Sequence, residues 1–277
     1  VIPAKTAGVK EIILCSPKIR PETIVAANLA GANRIFNIGG VQAIAAMTYG
    51  TKTIPKVDKI VGPGNKYVAE AKRQVFGQVG IDFIAGPSEL LIIADDSSNL
   101  RFIAADILAQ AEHDPDARCY LVTTSEKIKK EIKKEIDSQL SVLKTNNIAR
   151  IALKNFKIFK VKTLTECMKI ANKIAPEHLS LQVKNPKKIT EKLTNYGSLF
   201  IGKDSAVAFG DYCSGTNHIL PTNGTARFSS GLSTSDFVKV VSYQKIVNPS
   251  KLRRTAIKLA ETEGLDAHRK SIEIRTK

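Results

Sequence analysis

Few side chains in this chain are equipped for chemistry. The four histidines, His113, His178, His218 and His268, all stand in polar, turn-like stretches rather than on apolar faces. A loop histidine is ordinarily a solvated or hydrogen-bonded ring, but imidazole also changes charge near neutral pH and ligates metals. Neighbours sharpen the reading. In "LAQAEHDPDA", Gln110 and His113 lie three residues apart where a helical pattern ends, so the stretch reads either as a plain helix terminus or as two donors on one helix face reaching one ion. In "APEHLSL", Glu177 and His178 set a carboxylate beside an imidazole just ahead of an apolar run, and in "AFGDYCSGTNH", Asp211 offers an oxygen ligand after a glycine. Asp114 and Asp116 read as turn formers that bond nearby backbone. His218 reads as a turn residue with no assigned role.

Elements must hold these residues, and the pattern supplies them. Short β-branched runs alternate with longer periodic segments, the signature of parallel β-α units. Strand "EIILCSP" precedes helix "PETIVAANLAGA", strand "RIFNIGG" precedes helix "VQAIAAMTYG", and strand "KVDKIVGPGN" precedes helix "KYVAEAKRQVFG". One or two strands follow around the Gly-Pro turn of "IDFIAGPSELLIIADD", then helix "NLRFIAADILAQAEH" and strand "RCYLVTT". The break near "GPSE" predicts an α/β fold of two Rossmann-like parallel-sheet regions, residues 1–90 and 91–232, followed by an extended helical tail over 233–277. Glycine turns at 37–43, 61–67 and 84–90 follow three strands, the carboxyl-end position where open parallel sheets bind ligands and where a dinucleotide could sit. None of the three matches G-x-G-x-x-G.

Composition narrows the class. A 277-residue chain with 43% hydrophobic residues can bury a real core. No run of about 18 apolar residues and no secretory signal occurs, which predicts a cytoplasmic protein with no membrane partner. The opening "VIPAKTAGVK" starts in mid-pattern without Met and reads as a fragment. Cys15, Cys119, Cys167 and Cys213 lack C-x-x-C spacing and read as free buried thiols. The net charge of +16 is spread widely. Its densest stretch, "EKIKKEIKKEIDSQLSVLK", puts Ile128, Ile132, Ile136 and Leu140 at helical spacing beneath a solvated Lys/Glu face. With no Trp and no aromatics interleaved among the basic residues, nucleic acid is not an expected partner.

The blocks "GGVQAIAA", "VGPGNKYVAEAKRQV", "AGPSELLIIAD", "ADILAQAEHDPDA", "APEHLSL", "GDYCSGTNHILPT" and "EGLDAHRKSIEIR" run in order along essentially the whole chain. Together they resemble histidinol dehydrogenase. That resemblance implies a zinc-dependent homodimer with one zinc per subunit, oxidising L-histidinol to L-histidine through the aldehyde with two NAD. It implies zinc ligands Gln110, His113, Asp211 and His268, the last supplied to the partner's site by the tail. Ser88 and Glu263 join those ligands and His178 in the implied substrate set, and Gln42 and Asn65 are implied NAD contacts. A further NAD-contacting Tyr of the family falls upstream of this chain's start. Region 1–90 would hold NAD, and 91–232 the zinc and catalytic residues.

His178 is the expected base for the alcohol, and Glu177 the group that activates water on the aldehyde. A thiolate at Cys213, two residues from Asp211, is a rival nucleophile, but no base is visible beside it. A non-catalytic binding or regulatory protein on the same fold is the other class, and the completeness of the site argues against it.

Overall fold

Helices and parallel strands alternate in the computed structural model, which describes residues 1–275. The first stretch comprises α1 (Ile2–Thr6), β1 (Ile13–Cys15), α2 (Pro21–Ala30), β2 (Arg34–Phe36), α3 (Gly40–Tyr49), β3 (Lys59–Ile60), α4 (Lys66–Val75) and β4 (Gly80–Ile81). Its strands pair in parallel as two separate ribbons, β1 with β2 and β3 with β4. The expected strands are present but clipped to two or three residues, because Pro and Gly close each apolar run and leave little ladder to form. A small core of Ile44, Ile60, Ala71, Val75 and Val79 holds this part.

The larger part follows as β5 (Glu89–Ala94), α5 (Leu100–Ala111), β6 (Arg118–Thr123), α6 (Glu126–Leu140), α7 (Asn146–Ala152), β7 (Lys157–Lys160), α8 (Leu164–Ile174), β8 (His178–Gln182), α9 (Lys187–Thr190) and β9 (Ser198–Ile201). Its five strands are all parallel in the order β7-β6-β5-β8-β9, so the chain starts in the middle, winds one way, then returns to wind the other, as in doubly wound nucleotide-binding sheets. All six residues of β5 are buried, which explains why it reads as a continuous apolar run rather than an alternating one. Leu90, Ile92 and Ala94 face the core under α5 and α6, while Leu91 and Ile93 face the core under α8. Ile128, Ile132, Ile136 and Leu140 are the buried stripe of α6, as their spacing predicts.

Two expectations need correcting. Helix α5 ends at Ala111, short of His113. Pro115 disfavours helical backbone at Asp114, and the Asp114 carboxylate accepts the Asp116 N–H at 2.7 Å, closing a turn where the helix would have continued. All four cysteines are free, but only Cys119 and Cys167 are buried; Cys15 is half-buried and Cys213 is exposed. The short strand β1 cannot cover Cys15, and Cys213 lies just after α10 (Ala208–Tyr212) on a surface turn.

The chain divides into compact units Val1–Val238 and Lys239–Lys277. The second holds α11 (Ser250–Thr262) and α12 (Asp266–Glu273), separated at Gly264, whose φ of 73° no ordinary residue adopts freely. Its opening segment carries no helix or strand and exposes Val240, Val241, Tyr243 and Val247. Among the described residues no helix is long and apolar enough to cross a membrane.

Candidate active site

Strand β8 opens directly onto the chemistry. Helix α8 stops at Ala175, in left-handed backbone at φ 52°, and Pro176, with no N–H to donate, cannot continue the helix, so Glu177 and His178 enter the sheet as adjacent residues. Both are buried. The Glu89 N–H donates to Glu177 Oε2 at 2.9 Å, and His178 Nδ1 lies 3.2 Å from the Glu89 carbonyl oxygen. A carbonyl only accepts, so Nδ1 carries the proton and donates. Nε2 is left with its lone pair free.

Burial pushes the Glu177 carboxyl up to about 8, with the nearby Glu89 and Asp211 charges adding to the rise. Burial lowers His178 to about 4; Asp211 opposes that shift, and His113 and His218 reinforce it. Two neighbouring groups thus rest neutral near pH 7, pushed apart from their usual values by desolvation, a pattern typical of acid–base sites. The tilted ring of Phe200 backs His178 at 5.8 Å between centroids.

Asp211 sits on α10 with its Oδ2 3.8 Å from His113 Nε2, too far for a hydrogen bond. Two atoms each about 2.1 Å from one ion would stand roughly 3.4 to 3.8 Å apart, so this pair has the separation of co-ligands. Gln110 is 4% exposed on the sheet-facing side of α5, and its amide makes no side-chain hydrogen bond among the described residues. Imidazole, carboxylate and amide oxygen form a donor set that zinc accepts, though Gln is an uncommon member. No cluster of three or more His, Cys, Asp or Glu exists among the described residues; two of the four expected ligands are of those types in this unit.

The location departs from the usual rule for open parallel sheets. Glu89, Glu177 and His178 lie at the amino ends of β5 and β8, not at the carboxyl-end crevice where the winding reverses. That crevice is closed by its own turn: Asp95 accepts from the Ser97 and Lys184 N–H groups, and the Ser98 hydroxyl donates to the Gln182 carbonyl. The glycine turns of the first stretch do sit at carboxyl ends, after β2 and β3. There a cavity of about 310 Å³ is lined by Gly39, Gly40, Gly62, Gly64 and Asn65 among others. A Cβ on Gly39 would stand 2.4 Å from Pro17, so the turn closes only with glycine. Asn65 caps α4, its Oδ1 accepting from Tyr67 and Val68 N–H, and Gln42 is exposed in the first turn of α3.

The histidinol dehydrogenase family model matches residues 1–276. The chain belongs to the histidinol dehydrogenase family. It is 49% identical to the histidinol dehydrogenase of Bacillus cereus, aligned over 99% of this chain and 66% of that protein. It is also 49% identical to that of Methanocaldococcus jannaschii, over 100% and 66%. The crystal structure of histidinol dehydrogenase from Elizabethkingia anophelis superposes with a TM-score of 0.94 at 44% identity, covering 99% of this chain and 65% of that one. The chain thus spans 66% of the length of these curated relatives.

For a histidinol dehydrogenase family member, the expected residues fall into three groups. Glu177 and His178 are brought together, and His113 faces Asp211; these sets sense each other's charge. Ser88 precedes β5, one residue from Glu89, and its carbonyl accepts the Arg118 N–H. Gln42 and Asn65 lie in the first stretch. Glu263 and His268 belong to the second unit, exposed at the end of α11 and on α12.

Asp114 is the turn former expected; Asp116 contributes its N–H to that turn rather than its carboxylate. Sequence reasoning missed Glu89, which reads as the edge of an apolar strand. It also missed Asp106, one turn before Gln110 on the buried side of α5, which accepts from Gln182 Nε2 at 3.0 Å and is raised by burial to about 6. A carboxylate on the apolar stripe beside Ile103 and Ile107 was the available signal.

Proposed function

We propose that this chain carries the catalytic centre of a histidinol dehydrogenase, which oxidises L-histidinol to histidinal and then to L-histidine at the end of histidine biosynthesis. The observation that carries the reading is the buried Glu177–His178 pair, held by one backbone unit within electrostatic reach of the facing His113 and Asp211. Residues 1–90 would form the NAD-binding region, with Gln42 and Asn65 at the cofactor; 91–232 would carry catalysis, and 233–277 would reach a partner subunit.

Each residue then has a task. Nε2 of His178 takes the hydroxyl proton as the carbinol carbon gives up its hydride. The aldehyde's remaining C–H hydrogen does not leave as hydride until water has added to the carbonyl carbon. Glu177, which rests protonated near pH 7, acts here in its ionised form: it removes a proton from that water as the oxygen adds to the aldehyde carbon, and the resulting hydrate loses the second hydride. NAD, bound near the glycine turns, would supply the acceptor for both hydrides. Gln110, His113 and Asp211, with His268 of the partner subunit, would hold zinc, which when bound would anchor the imidazole and amino nitrogens of the substrate. Ser88 and Glu263 would orient the substrate.

The exposed apolar residues Val240, Val241, Tyr243 and Val247 of the second unit support a homodimer, since an exposed apolar segment of this kind is ordinarily covered by a partner. The reading places the enzyme in the cytoplasm. Incubation with histidinol, NAD and zinc should yield two NADH per histidinol consumed; no NADH from the zinc-loaded protein would refute the reading.

A further inference from the structure

Glu89 belongs to none of the groups assigned so far, yet more of the site is built on it than on any other residue. Its N–H donates to Glu177 Oε2 at 2.9 Å and its carbonyl accepts from His178 Nδ1 at 3.2 Å. Its carboxylate is 3% exposed, accepts the Asn223 N–H at 3.1 Å and faces Arg118 Nη1 at 3.5 Å. Arg118 also donates to Asn223 Oδ1 at 3.1 Å, and the Thr222 hydroxyl accepts the Gly86 N–H at 2.6 Å. The turn that carries Ser88 is therefore laced on both sides to one loop, with the Glu89 carboxylate at the centre of the lacing. Burying a carboxylate is costly unless it is paired and bonded. No apolar neighbour demands a Glu here, so the group is explained by what it holds.

We propose that Glu89 is the positioning residue of the site: its main chain fixes the Glu177 carboxyl and the His178 tautomer, and its side chain, tied to Asn223 and Arg118, fixes that main chain. This deepens the histidinol dehydrogenase reading and rests on it for the reaction affected. A glutamine at 89 keeps the size and can still accept from Asn223, but presents an amide donor or a neutral oxygen to Arg118, so the tie loosens without a cavity.

The test is E89Q, with R118M as a second variant on the exposed side of the tie, each compared with wild type. Expected for both are a kcat lower by about tenfold or more and a KM for histidinol within about twofold, with zinc content unchanged. In ¹⁵N NMR the His178 ring, assigned by its loss in H178Q, should be the Nδ1–H tautomer in wild type and a mixture in E89Q. The groups facing the pair, Asp211, His113 and His218, are untouched by either change. Unchanged kcat and an unchanged tautomer in both variants would overturn the proposal, as would loss of thermal stability with full kcat per folded molecule. Should wild type fail to oxidise histidinol, the functional reading falls, and the tautomer alone decides the role of Glu89.

Discussion

His178 and Glu177 are neighbours with opposite shifts, and this makes their contributions separable. H178Q should lower the alcohol step by roughly a hundredfold or more while leaving bound zinc unchanged, measured as single-turnover NADH formation. E177Q should spare the first hydride and stall the second, so that histidinal accumulates and the yield falls toward one NADH per histidinol. Stability carries a second signature. The folded chain keeps a proton on Glu177 up to about pH 8 that an unfolded glutamate releases near 4.5, so stability falls as pH rises through that interval. The folded chain keeps His178 unprotonated down to about 4, whereas an unfolded histidine binds its proton near 6.5, so stability is lost as pH falls from 6.5 toward 4. The two slopes nearly cancel at mildly acidic pH and leave Glu177 alone above about 6.5. E177Q should therefore exceed wild type by more than about 1 kcal/mol at pH 8 in denaturant titrations; parallel curves from pH 6.5 to 8 would contradict this. The Glu–His pair was legible because two chemical residue types stood side by side before an apolar run. Glu89 was not, because its work is done by main-chain atoms, and those look alike at every position.

Elements were legible in proportion to their length and periodicity. The long helix α6 announces its buried stripe by spacing, and an Ile132→Ala change there should cost about 2–5 kcal/mol, with no effect on zinc or substrate affinity. Strand β5 is equally plain as an unbroken apolar run. The end of α5 was misjudged because helical periodicity in "ADILAQAEH" continues past the point where Asp114 and Pro115 stop the backbone, so His113 stands just beyond the helix rather than on it. The helix α10 shows how a short element is fixed by one contact. A Cβ on Gly210 would stand 2.6 Å from the Phe200 ring, the ring that backs His178. Gly210→Ala should cost about 1–3 kcal/mol through overpacking and raise KM for histidinol through displacement of Asp211, read by thermal melting and steady-state kinetics. No periodicity foretold that contact, since it depends on how β9 and α10 fold back on each other.

At the scale of the whole molecule, parallel topology was readable from the alternation of elements, and Glu177 and His178 were readable at the head of a strand, but the pairing of β5 with β8 that brings Glu89 beside them was not. Strand order comes from pairing partners that lie far apart in the chain, which no local pattern reports. The proposed sharing of sites between subunits makes a sharp prediction. Mixing D211N with H268A, each inactive alone, should restore about a quarter of wild-type activity after subunit exchange, because half the dimers are mixed and each of these holds one intact site. No recovery would mean that each chain completes its own site.

The crevice closed by Asp95, Ser98, Gln182 and Lys184 leaves the five-stranded sheet with the proposed catalytic rim at one end and an idle rim at the other. β8 runs from His178 to Gln182, so its far end lies about 13 Å from His178 at roughly 3.3 Å per residue. A dye or a fused domain attached at exposed Asn185 would ride on that idle rim. Under the proposed function, the protein could thus be tethered, tracked or scaffolded by its back with its catalytic rim left open to substrate.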